Sequence, residues 1–281
     1  MQDQASKLKS SQVVAVISGK GGVGKTLIAT NIAATFVENG KKALVLDADV
    51  GFTNADILLG AFPKFSIKDF VNRTCSVDDL VTRTVYGVDL VSLGGDVIDI
   101  LTVSEAVLKD FATHFLKLLD NYDVVVMDMP PGFSESYMPF LALADDFIVM
   151  STIEPTSIVN TYTIVKLLSI KGISGESIHL VANMVQDVKE AGKLMNRFSE
   201  VVEKFVNNKV NSITIVKEHP LVEKSIRNRE LFVRKHRNIQ PSFSITRLVS
   251  ILLKTSNNTK DKNEQQKVLE RFLNFFRGAV R

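Results

Sequence analysis

The run SGKGGVGKT, residues 18–26, sets two lysines, Lys20 and Lys25, on either side of a cluster of glycines. Gly19, Gly24, Lys25 and Thr26 satisfy the spacing G-x-x-x-x-G-K-[ST]. Glycines at that spacing let successive backbone N–H groups turn into one concavity, and a helix that starts there adds positive potential. Such a concavity holds a phosphate chain. Lys25 is placed to neutralise β- and γ-phosphates, and the Thr26 hydroxyl to ligate Mg²⁺. A hard cation also wants carboxylates at neighbouring strand ends. The sequence supplies them twice, as Asp47 and Asp49 in LVLDADVG and as Asp128 in VVVMDMPPG. One lysine suffices for a phosphate, so Lys20 needs a separate account.

The elements that must position these groups are legible as alternation. Apolar runs at 13–18, 42–46, 88–93, 124–127, 147–150, 178–182 and 213–216 read as strands buried on both faces. Helix-like segments at 23–38, 104–119, 156–169 and 189–205 separate them, with a last one near 244–254. The alternation predicts a doubly wound α/β domain with a mostly parallel sheet, helices on both faces, and the ligand at the carboxyl ends of the strands. With 281 residues, 45% hydrophobic and 23% charged, the chain suits one large α/β domain with short appendages. The net charge of +3 by itself argues for no nucleic-acid or acidic partner. No stretch approaches a membrane span and the first residues lack the apolar core of a signal peptide, so a cytoplasmic protein is expected. One cysteine, Cys75, permits no internal disulfide and no multi-cysteine metal site within the chain.

K-G-G-V-G-K-T from Lys20, D-A-D-V-G from Asp47 and D-M-P-P-G from Asp128 resemble the deviant Walker A, switch I and switch II motifs of the MinD/ParA family of P-loop ATPases. The resemblance runs from about Gln12 to Lys254. It implies ATP and Mg²⁺ as cofactors, with Gly19, Lys20, Gly21, Gly22, Val23, Gly24, Lys25, Thr26 and Leu27 around the nucleotide. It implies that Lys20 crosses a dimer interface to the phosphates held by the other subunit, while Lys25 serves its own. By the same resemblance Asp49 positions the attacking water, and Asp47 and Asp128 join Thr26 around Mg²⁺, in part through waters. Asn183, in VANMV, stands where the family keeps an asparagine on the adenine. Either Lys217 or Pro220 lines the base pocket, where relatives commonly have a proline.

The two ends fall outside the alternation. In 267–281, Val268, Leu269, Phe272, Leu273, Phe275 and Phe276 recur at steps that share a helical face, flanked by Lys267, Arg271, Arg277 and Arg281. That composition, after a polar linker at 255–266, is that of a helix lying in a membrane surface. A last helix docked on the domain's own core is the competing reading. At the other end, Asp3, Gln4, Ala5 and Leu8 resemble the D-Q-A-x-x-L-R element of the FlhG (FleN, YlxH) branch of the family, with Lys9 in place of the arginine. This resemblance implies control of flagellar number or placement, stimulation of an FlhF-type GTPase, and contact with flagellar switch or C-ring proteins. The expected organisation is a partner-activating segment at 1–11, the ATPase domain at 12–254, the linker, and the membrane-targeting helix at 267–281. An ATP-dependent homodimer at the inner face of the cytoplasmic membrane follows from the resemblance.

Two relatives by function compete with this reading. A division-site MinD shares the final helix but starts almost at its first strand. A ParA-like DNA-partitioning ATPase would use basic residues such as those of RNRELFVRKHR, 227–237, on DNA phosphates; a solvated basic helix or a contact to anionic lipid is the blander reading. A metallocluster carrier on the same fold needs cysteine pairs that this chain does not have.

Overall fold

The computed structural model describes residues 11–49, 54–93, 105–132 and 137–255. The proposed partner-activating residues Asp3, Gln4, Ala5 and Leu8 lie outside the described residues, as do the proposed membrane-facing residues Val268 through Phe276.

Among the described residues, eight strands form one sheet in the order β3-β4-β2-β5-β1-β6-β7-β8. β1 (Gln12–Ser18) pairs in parallel with β5 (Val124–Asp128) on one side and β6 (Asp146–Ser151) on the other. β5 continues to β2 (Ala43–Asp47) and β4 (Val88–Ser92), and β6 continues to β7 (Ile178–Val185) and β8 (Ser212–Lys217), all in parallel. The predicted parallel core is therefore present. One strand that the alternation does not predict, β3 (Thr82–Arg83), pairs antiparallel with β4 at the edge. Two residues show no period, so the strand is set by the turn that precedes β4 and not by its own pattern.

β1, β2, β5 and β6 are buried at every position, because both faces of the sheet are covered. Successive side chains alternate between two apolar layers: Val13, Ala15 and Ile17 enter one, Val14 and Val16 the other. The layer containing Val14 and Val16 is covered by α1 (Lys25–Glu38), which buries Ile28, Ile32 and Phe36, and by α10 (Gln240–Thr255). The opposite layer is closed by α4 (Glu105–Leu119), α6 (Pro155–Ile170) and α7 (Val188–Val206), with Phe111 and Phe115 stacked at 5.1 Å. α7 begins on a clear start signal: the Asp187 carboxylate accepts from the Lys189 and Glu190 amides, satisfying two of the helix's free N–H groups.

Short helices α2 (Ala55–Leu59), α3 (Ile67–Val71), α5 (Met138–Leu141), α8 (Pro220–Asn228) and α9 (Phe232–Lys235) fill the connections. No helix among the described residues is long and apolar enough to cross a membrane.

The amino ends of the strands carry their own polar cross-tie. The Gln12 side-chain amide donates both to Asp146 (2.8 Å) and to the Leu252 carbonyl near the end of α10 (3.0 Å). Buried His179 lies between Asp146 and Ser212, so one chain of polar groups joins β1, β6, β7, β8 and α10. Every member of the chain has a partner, which removes the cost of burying it.

Candidate active site

β1 ends at Ser18 and α1 begins at Lys25, so the glycine run is the connection between a central strand and the helix behind it. Two glycines are required by contact. A Cβ on Gly19 would fall 2.6 Å from the Asn160 Cβ, and one on Gly24 2.5 Å from the Asn183 amide nitrogen. Gly24 also has φ +89°, in the left-handed region that suits glycine. The Ser18 hydroxyl donates to the Lys20 carbonyl, and the Gly132 amide donates to the Ser18 carbonyl, so loop and second carboxylate strand are tied together.

The two lysines part company here. Lys25 is buried, at 6% exposure, and desolvation lowers its pKa against the opposing pull of Asp128 and Asp49. Lys20 points outward: its Nζ lies 2.6 Å from Glu154 Oε2, with the two side chains 43% and 60% exposed. Glu154 immediately precedes α6, and 134 residues separate the pair in sequence, beyond any local signal.

Asp47 and Asp128 are register partners across β2 and β5, which puts both carboxylates side by side at the strands' carboxyl ends. Burial raises Asp47 to about 6, partly opposed by hydrogen bonds from the Asp49 and Ala55 amides. Burial raises Asp128 further, to about 7, with the Asp47 charge adding to the rise. The Thr26 hydroxyl is near enough to favour the charged form, yet neither Asp128 oxygen has a hydrogen-bond partner of good geometry. Two orphaned, buried carboxylate oxygens beside Thr26, Lys25 and a second carboxylate fit a hydrated Mg²⁺. Asp49 is half-buried and its charge is felt by Lys25, Asp47, Asp128 and Tyr137, so it belongs to the same cluster.

Asn183 is buried at the end of β7, and its amide donates to the Val23 carbonyl at 2.9 Å, bracing the phosphate loop. That bond uses one of the two amide hydrogens. Lys217 is the register partner of Val185 and is exposed, while Pro220 opens α8. Both therefore stand beyond Asn183 at the same edge.

Sequence reasoning missed four neighbours. Glu154 holds Lys20, and Asn160 packs on Gly19. Tyr137 borders the loop after β5 and senses Asp49. Met184 takes φ +57° at a bulge in β7, with its methyl carbon near Gly24. A methionine in the left-handed region is strained. The basic run 227–237, by contrast, is largely spoken for. Arg234 and Arg237 both pair with Glu38 at the end of α1, and Lys235 pairs with Glu230.

A family profile of ParA type, described as NUBPL iron-transfer P-loop NTPase, matches residues 9–249. The antiactivator FleN of Pseudomonas aeruginosa is 28% identical over 226 residues, covering 80% of this chain and 80% of that protein. The flagellum site-determining protein YlxH of Helicobacter pylori is 25% identical over 247 residues, covering 87% of this chain and 82% of that protein. Among solved structures, the septum site-determining protein MinD of Pyrococcus horikoshii complexed with Mg-ADP superposes with a TM-score of 0.67. It is 17% identical, with 89% of this chain and 99% of that one covered.

Proposed function

The chain belongs to the ParA family of P-loop NTPases and is an ATPase of the MinD/ParA type, and from that premise we propose that it is an ATP-dependent dimerising switch of the FleN/YlxH kind. In this reading it controls the number or placement of flagella, acts at the cytoplasmic membrane, and stimulates an FlhF-type GTPase. Flagellar switch or C-ring proteins are further proposed partners.

The observation that carries the switch is the unequal placement of the two lysines. Lys25 is buried beneath the loop and feels Asp128 and Asp49. It holds the phosphates of its own nucleotide and neutralises charge that develops there. Lys20 stands outside on an exposed pair with Glu154, where a second subunit can meet it. Thr26, Asp47 and Asp128 hold the cation, which supplies charge neutralisation at the β- and γ-phosphates when bound. Asp49 orients water and accepts its proton. Asn183 braces the loop through Val23 and offers its oxygen to the base. Because Lys20 serves the neighbouring site, a single subunit lacks one cation at its own phosphates, and turnover depends on pairing.

The flagellar part of the proposal rests on similarity to FleN and YlxH over four fifths or more of the chain and on the Asp3, Gln4, Ala5, Leu8 element. The iron-transfer description of the family profile finds no counterpart in thiolates, since Cys75 is the one cysteine and is half-buried. The test is GTPase stimulation of an FlhF-type partner by the whole chain and by a chain lacking residues 1–10. Stimulation that vanishes with the deletion supports the reading. An intact chain that does not stimulate moves the assignment to a division-site MinD.

A further inference from the structure

A cavity of about 890 Å³ opens at the amino ends of the strands, the end opposite the phosphate loop. Lys42, Gly87 and Tyr122, which line it, stand just before β2, β4 and β5. Leu118 and Tyr122 give it a buried apolar floor, and Phe62 and Phe65 an exposed apolar rim, Phe62 at 83%. Val85, 86% exposed, tips the turn between two further lining residues, Arg83 and Gly87.

The wall carries both signs of charge: Asp78, Asp79 and Asp89 share it with Lys42, Lys64 and Arg83. Asp79 keeps its charge, because the Ser76 hydroxyl and amide hold its carboxyl below the usual range. Asp89 accepts from the Tyr122 hydroxyl, and the Lys42 ammonium lies 4.6 Å from the centre of the Tyr122 ring. None of the ion pairs among the described residues engages any of these six. Opposite charges that line one cavity without pairing suit an occupant that carries both signs. A surface of a single sign is repelled by half of them.

The described chain starts beside this cavity. Ser11 is buried, with its hydroxyl between the Leu119 and Tyr122 carbonyls and within hydrogen-bond reach of both. The next amide, that of Gln12, donates to the Asp123 carbonyl at 3.1 Å. Residue 10 therefore joins the domain next to Tyr122, on the cavity floor.

We infer that the cavity is the docking site of the chain's own residues 1–10, MQDQASKLKS. The inference rests on the reading of that segment as partner-activating and adds its regulation: docked, the segment is withheld from a partner. Reach allows it. Leu8 is three residues from Ser11, at most about 11 Å of extended chain, and ten residues span at most about 36 Å. Composition matches the cavity. Met1, Ala5 and Leu8 recur at steps of four and three, the spacing that one face of a helix brings together, and the rim and floor offer them Phe62, Phe65 and Leu118. Lys7 and Lys9 flank Leu8 and suit Asp78 and Asp79, while Asp3 supplies the opposite sign for Lys64 and Arg83. The tether does the rest. So short a link sets an effective concentration on the order of millimolar, so a contact too weak to hold a free peptide still holds this one.

The test exploits the absence of tryptophan from the sequence. Phe62→Trp places a single indole at the rim, where the side chain buries little, and its emission is read in the full chain without partner or lipid. Adding Lys7→Glu, Leu8→Ser and Lys9→Glu, all ahead of the packed domain, shifts that emission to the red. Acrylamide quenching rises about twofold, the change from a segment docked much of the time to one released. In a second arm, Leu8→Cys and Phe65→Cys in a Cys75→Ser chain are joined by mild oxidation within one chain, at a rate independent of chain concentration. Cross-links that form only between chains overturn self-docking and give the cavity to a second copy. An indole indifferent to the segment, with no intrachain cross-link, overturns docking outright, and a blue shift of that indole on vesicles would then give the rim to lipid. GTPase stimulation is read separately, with the segment intact and the cavity altered by Phe62→Asp and Asp78→Lys. Release lowers the concentration for half-maximal stimulation about twofold. A docked segment that stimulates no GTPase still supports docking and removes only the partner-activating role.

Discussion

Lys20 Nζ and Glu154 Oε2 are 2.6 Å apart, and this pair holds the outward lysine of the phosphate loop against the start of α6. Both side chains are near half exposed, so the pair contributes little to folding, on the order of 0–1 kcal/mol. Its consequence is for where Lys20 can go. Glu154→Gln leaves the melting temperature unchanged and frees Lys20 from a competing carboxylate. The ATP-dependent dimer then tightens about two- to fivefold by sedimentation velocity, within the modest range of such pairs. Weaker pairing of the variant would show instead that Glu154 delivers Lys20 to the partner.

Gly24→Ala is expected to harm both stability and binding. The new Cβ meets the Asn183 amide at 2.5 Å, and φ +89° is strained for alanine. A loss of about 1–3 kcal/mol in thermal or urea unfolding is expected. Nucleotide affinity falls with it, because the Asn183 to Val23 bond that braces the loop is displaced. An alanine variant with wild-type stability and affinity would contradict the contact.

The carboxylate pair makes the nucleotide-free chain pH-sensitive in a definite direction. Asp47 and Asp128 are raised to about 6 and about 7, above the unfolded value of 3.8. A raised carboxyl stabilises the fold fully below its unfolded pKa, and that contribution is lost as pH rises through the folded one. The apo chain therefore loses stability between about pH 4 and 7. Asp128→Asn removes most of this dependence. It raises apo stability at pH 8 by about 2 kcal/mol, with little change at pH 4, as measured by urea unfolding at each pH. The same variant loses Mg²⁺-dependent nucleotide binding at pH 8. A pH-independent effect on stability would show that Asp128 is not held protonated at neutral pH in the apo chain.

Much of this site was legible because its logic is local. The phosphate loop, the strand before it and the helix after it are contiguous, and Asp47 and Asp128 each end an apolar run that announces a buried strand. Parallel pairing then sets those ends side by side without further information. What escaped was non-local or unpatterned. Glu154 and Asn160 meet the phosphate loop, and Tyr137 the loop after β5, only through the fold. Met184 takes an unusual φ that no residue type signals. The basic run 227–237 looks like a free patch in sequence, but Glu38 reaches it from α1 across roughly two hundred positions. Phe62 and Val85 carry no period, so only their exposure marks them.

The central claim is that Lys20 acts on the nucleotide of the other subunit, and a mixing experiment tests it most directly. Lys20→Ala lacks the crossing lysine but retains Asp49 at its own site, and Asp49→Ala lacks the water-orienting carboxylate but retains Lys20. Each variant alone is predicted to bind ATP and to hydrolyse it at near background. Mixed in equal amounts, half of the dimers are mixed pairs with one complete site of two, so ATPase recovers to about a quarter of the unmodified rate. A mixture that turns over no faster than the mean of its two components would contradict the assignment of Lys20 to the partner's phosphates.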